Sequence, residues 1–556
     1  PEGYAEWLRL PVNTSYRPSD IQGAKAVKLY DEKFVQLDAS APAALKDGGY
    51  LAIFGKPSDK ILVSVRDGAI PAELGKAAAI AREALARDLA SETAGSAAVA
   101  IIDQGRLVYS EGFGLADRER GAQATGGTLF NIGSISKAFT ASAIMALVDE
   151  GKIELDEKVV RYLPEFAMAD SRYVGITVRM LLNHSSGLSG TNWENGMGFE
   201  SDPAYKAETL GKLAKQSLKF APGEFAAYCN DGFTLAELVI ERVSGRSFIE
   251  YVAEKVLAPL GLARTGLSIG LRKNAPIAYY YEPGTGKREP AEVVSILGAG
   301  GMASTAEELC RFAYSFSGRG EQFLSRASLD EMLKAQPSAA KRLNDSAGWP
   351  FGLGWDLVEK SPFKEAGIRV LGKGGNTGRY TSQMLVAPDQ GLAVTIVESA
   401  AAAPAASTAF EMLRAALEEK GLMPPTAPEA ESAALAAAAQ PQPIPREYGE
   451  FEGCYAAAGY VMRIAFDFSK DELHKTILYQ GREIPRPAAR YQDGAFIGGG
   501  DPFRLEKING ICCLVTDTIF GREVAAQKLE ALPNPQSFSV ETAGRLWLRR
   551  NISRFE

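Results

Sequence analysis

Two hairpin signals stand at opposite ends of a mainly helical stretch, and they restrict the fold more than any other feature. The segment "SAAVAIIDQGRLVYSEGFGLAD" (96–117) holds two β-type runs across Asp103-Gln-Gly105. Glycine in a short loop between such runs marks a tight turn. The segment "SQMLVAPDQGLAVTIVES" (382–399) repeats the pattern around Pro388-Asp-Gln-Gly391. From 131 to about 420, helical patterns broken by Gly-rich turns dominate. Strands at both ends of a helical middle predict one sheet whose members come from distant parts of the chain. The expected class is α+β: an antiparallel sheet flanked by helices, with a helical subdomain, over residues 70–423. Ala- and Leu-rich "IPAELGKAAAIAREALARDLA" (70–90) and "PAASTAFEMLRAALEEKG" (404–421) supply flanking helices, the second stopping at Gly421.

The flanks read differently. Residues 1–69 hold strand-like pieces such as "GGYLAIFG" and "KILVSV" but no assignable fold. Residues 424–445 are Pro- and Ala-rich and read as a linker. Residues 446–556 hold short runs at regular spacing, from "YVMRIAFDF" to "RLWLRR", and predict a small all-β, barrel-like domain.

Several function classes fall away on composition. A net charge of −7 with both signs interspersed argues against nucleic acid as a partner. No apolar run reaches the roughly 18 residues that a membrane-spanning helix needs. Five cysteines without a CxxC or Cys/His cluster suggest neither a disulfide framework nor a zinc site, and no metal is expected. There are only two histidines, His184 and His474, and a turn or packing role suits both. An enzyme built on this chain therefore needs a general base other than histidine. The sequence starts at Pro1, which leaves open whether a leader was removed.

Lysine is the candidate base. In "NIGSISKAFTASAIMALVDEGKIEL" (131–155), Ser134 and Lys137 are spaced i, i+3 and share a helix face. The apolar turns that follow bury the lysine, and burial disfavours its charged form. From this stretch alone, a capped surface helix and a nucleophile with its base are equally good readings. Two further Ser-x-x-Lys copies, Ser338/Lys341 and Ser361/Lys364, open no apolar helix. Tyr228-Cys-Asn230 stands between a Pro-Gly turn and an amphipathic helix. A tyrosine near a lysine can move protons in acyl transfer, and Asn230 can bond an amide or the lysine. Lys373-Gly-Gly375 leads into the second hairpin, where glycine permits close approach to the backbone.

The ordered set Ser-x-x-Lys, Tyr-x-Asn and Lys-x-Gly resembles the serine β-lactamase and penicillin-binding-protein superfamily, in its class C-like branch. "LLNHSSGL", "GAGGMASTAEELCRF" and "FGLGW" add to the likeness, which covers about 90 to 400. The resemblance implies a serine hydrolase working without metal or organic cofactor. Ser134 matches the nucleophile, Lys137 its proton acceptor and Tyr228 the proton donor to the leaving group. Asn230 matches a substrate-amide contact and Lys373 the cation that meets a substrate carboxylate. The backbone N–H groups of Ser134 and Asn376 match an oxyanion hole. Gly375 and Trp193, in the loop 190–205, complete the expected cleft. Gly374 replaces the usual threonine, which weakens carboxylate recognition of the β-lactam kind. The C-terminal region resembles a lipocalin-like barrel appended in many members.

The expected reaction is cleavage of an amide in a small molecule or short peptide, D-residues included. A carboxylesterase or β-lactamase of the same fold, and a penicillin-binding sensor that does not turn over, stay open as alternatives. A periplasmic or secreted location is favoured over a cytoplasmic one, and a homo-oligomer is compatible with the sequence.

Overall fold

A computed structural model of the chain describes residues 71–336, 351–425 and 442–529 apart from short interruptions, and the backbone of seven strands between residues 4 and 66. The elements that build the central layer run in this order. Strands β1 (Ile21–Gln22) and β2 (Leu62–Arg66) come first, then helix α1 (Gly75–Ala90). Strands β3 (Ser96–Asp103) and β4 (Arg106–Asp117) form the first hairpin. Helices α2 (Ser136–Asp149), α3 (Asn230–Ser244) and α4 (Ala306–Ser315) lie in the middle. Strands β5 (Leu371–Asn376), β6 (Thr381–Ala387) and β7 (Leu392–Glu398) follow, and α5 (Ala405–Glu419) closes the region.

The sheet order is β5-β6-β7-β3-β4-β2-β1, and its pairings are antiparallel. The two hairpins expected from sequence meet at its centre, where Val394 of β7 lies opposite Ile101 of β3. Gln104 and Gly105 turn the first hairpin with φ of 47° and 80°, the twist that a two-residue loop requires. Strands β1 and β2 arise before residue 70, so the sheet draws on the segment that sequence left without a fold. Tyr4–Leu10, Ala26–Asp31 and Gly49–Gly55 form a separate three-stranded sheet.

Both faces of the sheet are covered. Ala97, Val99 and Ile101 pack beneath α1 and α5, in one cluster with Leu85 and Leu413. Ala98, Ala100 and Ile102 point the other way, into the larger cluster with Phe139 of α2 and Phe312 of α4. This is the period-2 alternation of a strand, with apolar residues on both faces. The Glu419 carboxylate accepts the Lys76 N–H at 2.9 Å, tying the start of α1 to the end of α5. Negative charge at a helix N-terminus is favourable.

Beyond residue 442, nine strands form a nearly closed antiparallel meander. They are β8 (Gly453–Ala457), β9 (Tyr460–Asp467), β10 (Glu472–Tyr479), β11 (Arg482–Pro485), β12 (Ala489–Gln492), β13 (Ala495–Ile497), β14 (Phe503–Ile508), β15 (Ile511–Thr518) and β16 (Gly521–Lys528). Strand β8 pairs with both β9 and β16, and β10 pairs with β9, β11 and β12, so the sheet returns on itself. Closure removes free strand edges. Tyr455, Met462, Ile464, Leu473, Phe496 and Leu514 fill its core. The expected linker residues 426–441 and the last expected strand, "RLWLRR", lie outside the described residues. Among the described residues, no helix is long and apolar enough to cross a membrane.

The central β3–β7 pairing carries the sheet, so Ile101→Ala, at a fully buried position, is expected to cost about 2–5 kcal/mol. Chemical denaturation checks this: the midpoint should fall without a change in slope.

Candidate active site

The site begins with a turn that only glycine allows. Gly133 has φ +49°, and a Cβ there would lie 2.6 Å from the backbone N of Asn376. On the facing strand, a Cβ on Gly375 would lie 1.9 Å from the Ile132 carbonyl oxygen. The turn 132–134 is therefore pressed flat against β5. The Ser382 hydroxyl reinforces the contact by donating to the Ile132 carbonyl at 3.0 Å. Glycine at 375, expected to permit close approach to the backbone, lets the 132–134 turn approach that closely.

Ser134 sits in a 3-10 turn, Gly133–Ile135, and α2 starts at Ser136. The capped-helix reading of Ser134 thus fails: the residue at the helix start is Ile135, with no side-chain cap. Helix α2 is buried almost all round, including Lys137 at 0% exposure. A helix apolar on every side belongs in a core rather than on a surface.

Lys137 Nζ has three polar neighbours. It lies 2.6 Å from Asn230 Oδ1, 2.6 Å from the Ala299 carbonyl and 3.0 Å from Ser134 Oγ. The first two are acceptors only. Three acceptors thus surround the buried amine, which sits within hydrogen-bond reach of the Ser134 hydroxyl. Burial, and then the nearby charge of Lys373, hold Lys137 well below the usual lysine range; Asp356 and Cys229 oppose this.

The two acceptors are themselves held. Asn230 is the first residue of α3 rather than its cap. Ala299 belongs to the short helix Leu297–Gly300. Thr140 donates to the Gly298 carbonyl at 2.7 Å, and the Gly298 N–H donates to Glu237 at 2.8 Å. Glu237 is buried, and its carboxyl is pushed up to about 7, chiefly by desolvation.

Tyr228 closes the group. Its hydroxyl shares a hydrogen bond with Ser134, and burial, then the Asp356 charge, push it well above its ordinary value. It is therefore a protonated phenol at neutral pH. Lys137 and Lys373 lie 4.9 and 5.3 Å from its ring centroid. Behind it, the His184 ring stacks at 4.4 Å and 27°. His184 occupies a left-handed turn at φ 63° and accepts the Cys229 N–H at Nδ1, 3.0 Å away. Burial, and then Lys137 and Lys373, hold His184 well below its ordinary value, so it packs as a neutral ring. The Cys229 thiol donates to the Gly190 carbonyl at 3.0 Å.

Lys373 is buried against a carboxylate that sequence did not single out. Its ammonium lies 2.8 and 2.9 Å from the two Asp356 oxygens and 3.1 Å from the Gly374 carbonyl. Asp356 follows directly on "FGLGW". Gly354 in that stretch, at φ +77°, packs against the backbone of Lys137, and Trp355 is fully buried beside Phe316. The Asp356 N–H bonds the Gly372 carbonyl at 3.0 Å, which brings Asp356 beside Lys373.

Asn376 is exposed; its side chain bonds Thr381, Ala401 and the Gly378 N–H, leaving its backbone N beside Gly133. Trp193, Ser338, Lys341 and Ser361 lie outside the described residues. Lys364 pairs with Glu359 on the surface. The site thus joins Ser134, Lys137, Tyr228, Asn230, Lys373, Gly375 and Asn376, and adds Ala299, Asp356 and His184.

Such a fold and site define a class of protein that known sequences confirm. The profile of the family described as Beta-lactamase matches residues 81–417. The chain belongs to this family. It is 28% identical over 306 residues to Penicillin-binding protein 4* of Bacillus subtilis, covering 50% of this chain and 63% of that protein. It is 28% identical over 328 residues to a D-aminopeptidase of Brucella anthropi, covering 58% of this chain and 59% of that protein. The match therefore spans less than two thirds of either relative's length. Among solved structures, the octameric penicillin-binding protein homologue from Pyrococcus abyssi aligns with a TM-score of 0.54 at 23% identity, over 82% of this chain and 99% of that one.

Gly375→Ala tests the glycine contact. The methyl group meets a backbone carbonyl that cannot swing away, so the variant is expected to lose about 3 kcal/mol and to shift the Ser134 turn. Thermal melts and amide exchange at residues 132–134 measure both.

Proposed function

We propose that the chain is a serine hydrolase that cleaves an amide in a small molecule or short peptide, including peptides with D-residues, through an acyl-enzyme on Ser134. The amine of Lys137, fully buried and 3.0 Å from Ser134 Oγ, carries this reading. Lys137 takes the Ser134 proton while Oγ bonds the substrate carbonyl carbon. The backbone N–H groups of Ser134 and Asn376 receive the oxyanion. Tyr228 gives its proton to the leaving nitrogen as the C–N bond breaks. The proton on Lys137 then restores Tyr228, and the pair activates the water that frees Ser134.

Asn230 both fixes Lys137 and contacts the substrate amide. The closed C-terminal sheet is a lipocalin-like accessory domain. The names of two relatives, a penicillin-binding protein and a D-aminopeptidase, support amide substrates. The proposal includes a periplasmic or secreted location and a homo-oligomeric state, the latter compatible with the octameric assembly named for the solved neighbour.

Intact-mass measurement with a fluorophosphonate tests the nucleophile. One adduct is expected on wild type and none on folded Ser134→Ala. The labelling rate should reach its plateau along an acid limb well below the free-lysine value of about 10.4, because acylation needs Lys137 neutral. Tyr228→Phe should lower kcat by on the order of 10²–10⁴ on a D-amino-acid p-nitroanilide. A stable adduct with a β-lactam and no turnover of any amide or ester would make the chain a sensor instead.

A further inference from the structure

We propose that Asp356 sets the substrate class: by holding Lys373, it disfavours amides and esters whose leaving group carries a carboxylate next to the scissile bond, which narrows the peptide reading to peptides blocked or extended beyond that position. The proposal rests on the serine-hydrolase reading and goes beyond it.

Three observations carry it. First, the donors of Lys373 are used. An ammonium has three hydrogens, and three acceptors surround Nζ: the two Asp356 oxygens at 2.8 and 2.9 Å and the Gly374 carbonyl at 3.1 Å. Second, the anion is the outer partner. The Lys373 side chain is 1% exposed and that of Asp356 is 24% exposed. An incoming carboxylate therefore meets Asp356 before it meets the cation, and like charges brought together at an interface repel strongly. Third, among the described residues nothing else on this strand edge replaces the cation. Gly374 has no hydroxyl, and a Cβ there would lie 3.1 Å from Gln383 Oε1. Arg379, past the Asn376–Gly378 turn, is committed to Glu289 and to Glu292 Oε1, and its guanidinium lies over the Phe199 ring.

The pair is built rather than incidental. Backbone bonds from Asp356 and Leu357 to Gly372 set the carboxylate beside β5, and the Gly374 N–H donates to Asp356 Oδ2 at 3.1 Å. The two charges cancel at the point where the site resemblance would otherwise place a free cation. What remains beside the Tyr228 ring is an ion pair of zero net charge, suited to a neutral leaving group.

A matched pair of thioesters tests this. The hippuryl thioester of thioglycolic acid and that of methyl thioglycolate differ only in a leaving-group carboxylate. Release of the thiol is followed for wild type, Asp356→Asn and Lys373→Met. Wild type is expected to favour the methyl ester in kcat/KM by on the order of tenfold or more. Asp356→Asn frees Lys373 and should narrow or reverse that ratio, through a lower KM for the free acid. Lys373→Met, which does not depend on the first variant folding, should leave the free acid no worse relative to the methyl ester. A wild-type preference for the free acid overturns the proposal while leaving the hydrolase reading intact. So does a selective loss of free-acid turnover in Lys373→Met. Failure to cleave either thioester, with no fluorophosphonate adduct on Ser134, overturns both.

Discussion

The amine of Lys137, enclosed between two carbonyl oxygens and a serine hydroxyl, is the contact on which the rest of the site depends. A buried ammonium is expensive, and desolvation drives it toward the neutral form. The nearby charge of Lys373 acts in the same direction, and α2 brings no carboxylate to the amine from its own buried surface. The two acceptors come from α3 and from Leu297–Gly300, which are locked to α2 and to each other through Thr140, Gly298 and Glu237. The base is therefore defined by three separate pieces of chain that converge on one nitrogen.

A second layer of charge tunes that nitrogen. Lys373 lowers the Lys137 value and Asp356 raises it, so the ion pair both neutralises the cleft wall and limits how far the base is weakened. The same carboxylate helps to keep Tyr228 protonated. The two groups are thus pushed apart by their environments: Lys137 is held below its ordinary value and Tyr228 above its own, both in contact with Ser134. Tuning two groups in opposite directions within one pocket is how acid and base work coexist at one pH.

Much of this was legible in the sequence, for identifiable reasons. The two hairpins and the flanking helices follow from local periodicity and turn residues, and the sheet joins them as expected. Ser134, Lys137, Tyr228 and Asn230 lie at fixed short spacings, so their local signals survive. The missed features are long-range. Strand β2 is only five residues long and finds its place by pairing with β4, which no local pattern reveals. Asp356 lies beside Lys373 only because a loop packs on Gly372, although its position directly after "FGLGW" was a usable signal. Ala299 acts through its carbonyl, which side-chain identity cannot disclose. His184 read as a turn residue and is one; its second role, as the surface on which Tyr228 rests, exists only in three dimensions. Gly375 was read for close backbone approach, but that the approaching backbone is the 132–134 turn is visible only in three dimensions.

The protonation state of Lys137 is the most direct measure of this account. Lysine labelled with ¹³C at Cε, assigned by comparison with Ser134→Ala and Lys137→Met, reports it in a pH titration. The account predicts that one lysine signal is already that of the neutral amine where the others are charged, with a midpoint well below about 10.4, and that it disappears in Lys137→Met. A Lys137 signal that titrates together with the surface lysines would contradict it.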